Sequence, residues 1–336
     1  MKIVVDAMGT DDHPAPDVAG AVLAAQAFDE TMILVGARSK IQQELDKHDT
    51  TGLSIEIVHA DDSITMADKP HEVLRGKPQS SMHVGIQLVK NGEADAFVTC
   101  GNTGAALAVS MFQLKRIAGV KRPAITAVGE LGGHLITVVD VGANTDTRIE
   151  WLQQFAMMGN LYSERVLGVK NPRVGLLSNG TEDTKGDVLV REAHPVFETM
   201  SFKFAGNVEP KDLFTGNVDV IVTDGYVGNI MLKTYEGTMS ALGNILRREL
   251  QSDWRSKLGA LLLRPYLRKT IRLMDPTQYG GAPLLGVNGV VIIAHGGSTA
   301  EVIKNAIGQA KRAVEADVIN IIKDGLTTNT AGEGEA

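Results

Sequence analysis

Short β-branched runs, each closed by glycine or a small polar residue and followed by helical periodicity, recur along the whole chain. The clearest runs are residues 3–6, 32–35, 54–58, 96–99, 135–139, 173–177, 218–223 and 290–294. Amphipathic stretches at 16–28, 82–91, 103–115 and 300–322 lie between them. Strand and helix in alternation predict an α/β fold, a mostly parallel sheet covered by helices on both faces. Such a sheet binds ligands at the carboxyl ends of its strands. Functional residues are therefore sought where strands end.

No Pro/Ser-rich linker divides the 336 residues, so 1–324 is expected to form a single unit, with 325–336 a frayed acidic tail. Apolar residues make up 43%, which excludes a disordered chain. A lone cysteine excludes a disulfide framework and fits a reducing cytosol. An aspartate at position 6 interrupts any signal-like start, and no apolar run approaches the ~18 residues of a membrane span. A soluble cytoplasmic protein is expected. The net charge of −7 speaks against nucleic acid as a partner. That charge is unevenly spread: residues 247–272 hold eight basic and two acidic side chains, a net +6, leaving −13 on the remainder.

The most informative pattern is an internal echo. Residues 95–104 read DAFVTCGNTG and residues 219–228 read DVIVTDGYVG, in each case a strand running through two glycines into a helix. The glycines permit close backbone approach, and the free N–H groups of a helix start suit an anion. Gly101, Thr103, Gly104 and Ala105 mark the first copy, Gly225 and Gly228 the second. Plain turn geometry is the competing reading. Three further clusters follow strands: Asp140 to Asn144; the 178–186 loop with Asn179, Thr181, Glu182 and Lys185; and His295 with the glycines after it. Lys185 is the cation embedded in these glycine-flanked clusters, although a solvated loop lysine would look the same.

Metal chemistry is not indicated. The eight histidines are scattered and none has metal-ligand spacing, so no metal and no cofactor are expected. Cys100 is read as a small buried residue, and no G-x-S-x-G elbow is present.

Taken in order, VDAMG (5–9), GNTGA (101–105), DVGAN (140–144), LLSNGTEDTKG (176–186), VTDGYVGNIMLKTYEG (222–237) and GAPLLGVNGVVIIAHG (281–296) resemble the bacterial acyl-acyl-carrier-protein:phosphate acyltransferase family over residues 1–322. Two positions depart from the family pattern: Thr10 stands where it has glycine, and Cys100 where it has Ala or Gly. The resemblance implies a fold related to phosphotransacetylase and to the isocitrate and isopropylmalate dehydrogenases. It also implies transfer of a fatty acyl group from acyl carrier protein to inorganic phosphate. The acyl phosphate would feed phospholipid synthesis through a downstream glycerol-3-phosphate acyltransferase.

For that reaction, phosphate would attack the thioester directly. The expected roles are phosphate binding by the 101–105 turn with Lys185, and oxyanion binding by Asn229 or the amides at 225–228, with Asn102 also catalytic. Asp140, Asn144, Asn179, Thr181, Glu182 and His295 would wall the site. The rivals are a phosphotransacetylase-like enzyme using short acyl-CoA, a metal- and NAD-dependent dehydrogenase, for which no clustered metal ligands are found, and a non-catalytic membrane scaffold.

The basic segment keeps three readings, all on an expected helical protrusion at 240–275. Leu258, Leu261, Leu262 and Leu263 lie among Arg255, Lys257, Arg264, Arg268 and Lys269. An apolar tip ringed by cations suits reversible contact with the inner face of the cell membrane. The same cations suit docking of acidic acyl carrier protein. The stripe Leu242, Ile245, Leu246 and Leu250 suits packing in a homodimer.

Overall fold

A computed structural model of the chain describes residues 1–274 and 279–331, with side chains for 1–267 and 279–327. The first half holds β1 (Lys2–Asp6), α1 (Ala15–Phe28), β2 (Thr31–Gly36), α2 (Arg38–Leu45), β3 (Ile55–His59) and α3 (Pro70–Gly76). It continues through α4 (Ser81–Lys90), β4 (Ala96–Thr99), α5 (Thr103–Gln113), β5 (Ala124–Leu131), β6 (His134–Val139) and α6 (Ile149–Arg165). Then come β7 (Arg173–Leu177), α7 (Val188–Glu198), β8 (Lys203–Val208), β9 (Val220–Val222), α8 (Gly225–Leu250) and α9 (Trp254–Met274). The described residues close with β10 (Ala282–Leu285), β11 (Val290–Ile293), α10 (Ala300–Glu315) and α11 (Val318–Ala331).

The strands form one sheet in the order β3-β2-β1-β4-β11-β10-β5-β6-β9-β7-β8. Pairing is parallel except around β10 and β5, where β10 runs against both β11 and β5, and β5 against β6. The α/β expectation is met, and the reversal has a consequence for the site. β1, β4 and β11 run one way through the sheet, whereas β6, β9 and β7 run the other.

Alternate residues of one strand enter different cores, which is why these strands read as unbroken apolar runs. Ile3 and Val5 pack with α1, α6 and α10, while Val4 and Phe97 pack on the opposite face with Ile86 of α4 and Val109 of α5. The match is close enough to require glycine where layers touch. A Cβ at Gly85 of α4 would stand 2.5 Å from the Phe97 ring.

Two expectations need correction. The single helix expected over 300–322 is two, because Asp317 takes a left-handed conformation (φ 55°) that a short polar side chain tolerates. The tail does not fray from residue 325 either. Helix α11 continues to Ala331, with Leu326 buried and Gly325 seated against Leu161.

Helices α8 and α9 make the expected protruding hairpin through a short turn at 251–253. Leu258, Leu261, Leu262 and Leu263 are exposed there, Leu262 at 72%. Arg255, Lys257 and Arg264 are exposed beside them. The side chains of Arg268 and Lys269 lie outside the described residues. No described helix is long and apolar enough to cross a membrane.

Candidate functional site

Two groups of loops occupy the strand ends. The first gathers the ends of β1, β4 and β11. Asp6, at the end of β1, accepts from Met8 N (3.1 Å) and from Thr99 Oγ1 (2.8 Å), and Thr99 Oγ1 in turn accepts from Gly101 N (3.0 Å). Burial raises the Asp6 pKa, against the hydrogen bonds that lower it. Beside this chain Asp11 N donates to Gly296 O (2.9 Å), so the β1 and β11 loops are tied together. Cys100 is buried here, and burial pushes its thiol well above the ordinary range. It has the character of a small packing residue, not a nucleophile.

Helix α5 starts from this group with Asn102 as its N-cap. Asn102 Oδ1 accepts from Ala105 N (3.0 Å), and its Nδ2 faces the carbonyls of Thr65 (3.3 Å), Met66 (3.3 Å) and Asp68 (3.0 Å). Both ends of that amide are spent on structure. Asn102 therefore positions the turn and clasps the 65–68 loop, and the expected catalytic role is withdrawn. The amides of Thr103 and Gly104 have no hydrogen-bond partner among the described residues, and Thr103 is exposed. An open first turn at the positive end of a helix dipole can take an anion.

The second group gathers the ends of β6, β9 and β7. Asp140 is wholly buried and its carboxylate is saturated. Oδ1 accepts from Ile125 N, Gly142 N and Ala143 N at 3.0–3.1 Å, and Oδ2 from Asn144 N (2.7 Å) and Asn144 Nδ2 (2.9 Å). Burial raises its pKa and these hydrogen bonds oppose the rise. Asn144 Nδ2 also donates to Pro123 O (2.8 Å). Neither side chain is a free wall residue as expected; both build the loop on which α8 rests.

That seat explains the glycines of the second echo. A Cβ at Gly225 would lie 2.7 Å from Asn144 O, and one at Gly228 would overlap the carbonyl oxygen of Asp140. Gly225 N donates to Asn144 O (2.7 Å), Tyr226 N and Val227 N to Asp224 Oδ1 (2.9 Å each), and Gly228 N to Asp224 O (3.0 Å). No amide at 225–228 is left for an oxyanion, which corrects that expectation. The two echoed segments share letters but not a turn. Helix α8 begins at Gly225, whereas α5 begins two residues later in the motif, at Thr103. At the α8 start Asp224 takes two amides, Tyr226 N and Val227 N, whereas the α5 cap Asn102 takes only Ala105 N and leaves Thr103 N and Gly104 N free among the described residues.

Asn229 stands exposed one turn along α8, facing Gly142. Lys185 is exposed in the loop after β7, its stem against Gly180 and its ammonium without a partner among the described residues. Asn179 Oδ1 accepts from Gly186 N (2.9 Å) and Glu182 O from Asn207 Nδ2 (2.9 Å), so these two shape the loop, while Thr181 is exposed. Strand β9 lies between β6 and β7, which puts Lys185 and Asn229 in the same group. No hydrogen bond joins Lys185 to the 101–105 turn among the described residues, and their strands β7 and β4 stand six positions apart in the sheet order.

Helix α8 bridges the two groups. Lys233 Nζ lies 3.2 Å from His295 Nε2 and 2.8 Å from Glu236 Oε2, and Glu236 Oε1 is 3.3 Å from His295 Nε2. Burial would raise the Glu236 pKa, but the His295 and Lys233 contacts outweigh it and hold it low. His295 follows β11, the neighbour of β4, so Lys233 reaches the loop after the strand next to the one that leads into α5. Lys233 and Glu236 carry one sequence signal. With Asn229 they fall at i, i+4 and i+7, a single helix face. No group of three side chains suited to a metal occurs among the described residues.

Comparison with known proteins adds to this geometry. Residues 1–321 match the family model described as fatty acid synthesis protein. The chain is 45% identical over 329 residues to the phosphate acyltransferase of Trichlorobacter lovleyi, covering 98% of this chain and 95% of that one. It is 44% identical over 338 residues to the phosphate acyltransferase of Halothermothrix orenii, with 99% and 100% covered. The fold is also that of the EutD phosphotransacetylase from Staphylococcus aureus (TM-score 0.58, 20% identity) and a phosphotransacetylase from Streptococcus pyogenes (0.59, 18%), each covering 94% of both chains. With near-complete coverage on both sides, the chain belongs to the fatty acid synthesis protein family and is an acyltransferase.

Proposed function

We propose that the chain transfers a long-chain acyl group from acyl carrier protein to inorganic phosphate, giving an acyl phosphate for phospholipid synthesis. The observation that carries this reading is the contrast between the two helix starts. One is sealed by its own aspartate, and the other leaves the Thr103 and Gly104 amides without a partner among the described residues, with Lys233 held by His295 after the neighbouring strand. Phosphate sits at the Thr103 and Gly104 amides with Lys233. Its oxygen attacks the thioester carbonyl carbon, the oxyanion forms toward Asn229 and Lys185, and the C–S bond breaks. The sulfur leaves as thiolate and is protonated by solvent. A thiol pKa near 8.5 makes it a good leaving group, so placement and charge stabilisation do most of the work.

Lys233→Ala should raise the phosphate KM at least tenfold, and Asn229→Ala or Lys185→Ala should lower kcat at saturating phosphate. Near-normal kinetics in all three folded variants would remove the assignment.

The α8–α9 hairpin supports two contacts for the same enzyme. Its leucine tip among exposed cations suits an anionic membrane surface or the acidic carrier protein, each leucine adding about 1–2 kcal/mol on burial in lipid. The exposed stripe Leu242, Ile245 and Leu246 suits a second copy of the chain. Flotation with anionic liposomes separates these contacts. Leu261→Glu should abolish binding and leave self-association intact; equal binding would remove the membrane contact.

A further inference from the structure

An apolar hollow lies between α8 and the β5–β6 hairpin, next to the second group of loops. Its floor is Ala127 and Gly129 of β5 with Ile136 and Val138, their cross-strand partners in reverse order. Its roof is Met231, Leu232 and Tyr235 of α8. The hollow exists because the floor residues of β5 are small: a Cβ at Gly129 would meet nothing closer than Leu131 at 3.9 Å. The space is partly open to solvent, and its lining is almost wholly apolar. It runs some 14 Å along β5 from residue 127 to 131, at about 3.4 Å per residue. Leu213 lines it too, and the Phe214 ring lies tilted against Tyr235 with centroids 5.7 Å apart. Val141, which also lines it, precedes Gly142, the residue that faces Asn229.

We infer that this hollow holds the acyl chain of the thioester donor, and that Gly129 and Ala127 set the chain length accepted. The inference rests on the acyl-transfer reading above and extends it to the apolar part of the substrate. Two observations argue for this occupant. The hollow is roofed by Met231 and Leu232, within a turn of Asn229 on α8, where the thioester carbonyl is placed, and Val141 of its lining precedes Gly142, which faces Asn229. The lining gives almost no hydrogen-bonding group to a polar ligand, and a straight alkyl chain asks for none.

The test is a chain-length profile. Full-length wild type, Gly129→Leu and Leu213→Ala are assayed for phosphate-dependent thiol release from carrier protein loaded with butyryl, octanoyl, dodecanoyl or palmitoyl chains. Each methylene denied burial costs about a factor of four in kcat/KM. The leucine at 129 displaces at least two, so dodecanoyl and palmitoyl transfer should fall tenfold or more while butyryl transfer stays within twofold. Leu213→Ala enlarges the hollow and should move the preference toward longer chains. Thermal melts confirm folding of each variant.

An unchanged ratio of palmitoyl to butyryl rates in folded Gly129→Leu would overturn the inference. Loss of self-association with that ratio unchanged would assign the hollow to a second copy of the chain and overturn it equally. If wild type forms no acyl phosphate from any donor, the underlying acyl-transfer reading fails instead.

Discussion

Asp17 of α1 is wholly buried; Thr10 Oγ1 donates to its Oδ2, and its Oδ1 has no hydrogen-bond partner among the described residues. Burial is the main cause that pushes its carboxyl from the ordinary 3.8 up to about 8, the Thr10 hydrogen bond opposing and the nearby Asp6 charge assisting. The folded-state value lies above the unfolded one. The stability this group contributes is therefore complete below about pH 4 and is lost as pH rises through about 8. At about 1.4 kcal/mol per pH unit over some four units, the wild type should lose about 5 kcal/mol across that window from this residue alone. Asp17→Asn keeps the shape and removes the proton. One extra unpaired amide N–H makes the variant about 1–3 kcal/mol less stable at pH 5. At pH 9 the order reverses, and the variant is more stable by several kcal/mol. Urea unfolding at pH 5, 7 and 9 should give curves of stability against pH that cross. Parallel curves for the two proteins would refute the reasoning, because they would mean that Asp17 is already ionised in the folded state.

Three further outcomes follow from the site. Gly228→Ala drives a methyl into the Asp140 carbonyl, so α8 must lift from its seat; a loss of about 3 kcal/mol in thermal unfolding should accompany a large fall in acyl-phosphate formation. Cys100→Ala should keep near-normal activity, and the wild-type thiol should resist iodoacetamide at pH 8; rapid inactivation would contradict its placement. Asn102→Ala removes a helix cap and the clasp on the 65–68 loop, costing about 1–2 kcal/mol. It should raise the phosphate KM more than it lowers kcat, and an equal fall in kcat would return Asn102 to the reacting atoms.

The architecture was legible wherever a strand is buried on both faces. Residues 3–6, 96–99 and 290–293 read as apolar runs because both sides of the sheet are covered. Strand β5 was hidden by Gly129 and Ala127, the residues that open the hollow, and β10 by a proline in a four-residue run. The edge strand β8, with its partly exposed pattern, carries too little apolar signal to stand out. At the site, the glycine turns were legible but their chemistry was not. Whether a helix start is open depends on which side chain folds back on it. Asp224, Asn102 and Asn144 settle that through hydrogen bonds that no letter pattern encodes. Lys233 was hidden for a different reason: its contact is with His295, 62 residues away in sequence, in the loop after β11.

In the proposed reaction inorganic phosphate is the acceptor and a carrier-protein thioester the donor. The most direct measurement is thiol release from palmitoyl carrier protein with and without phosphate, run beside acetyl-CoA. Release should require phosphate, saturate with it, yield acyl phosphate one for one, and be far slower with acetyl-CoA. Release that ignores phosphate, or activity with acetyl-CoA alone, would contradict the account.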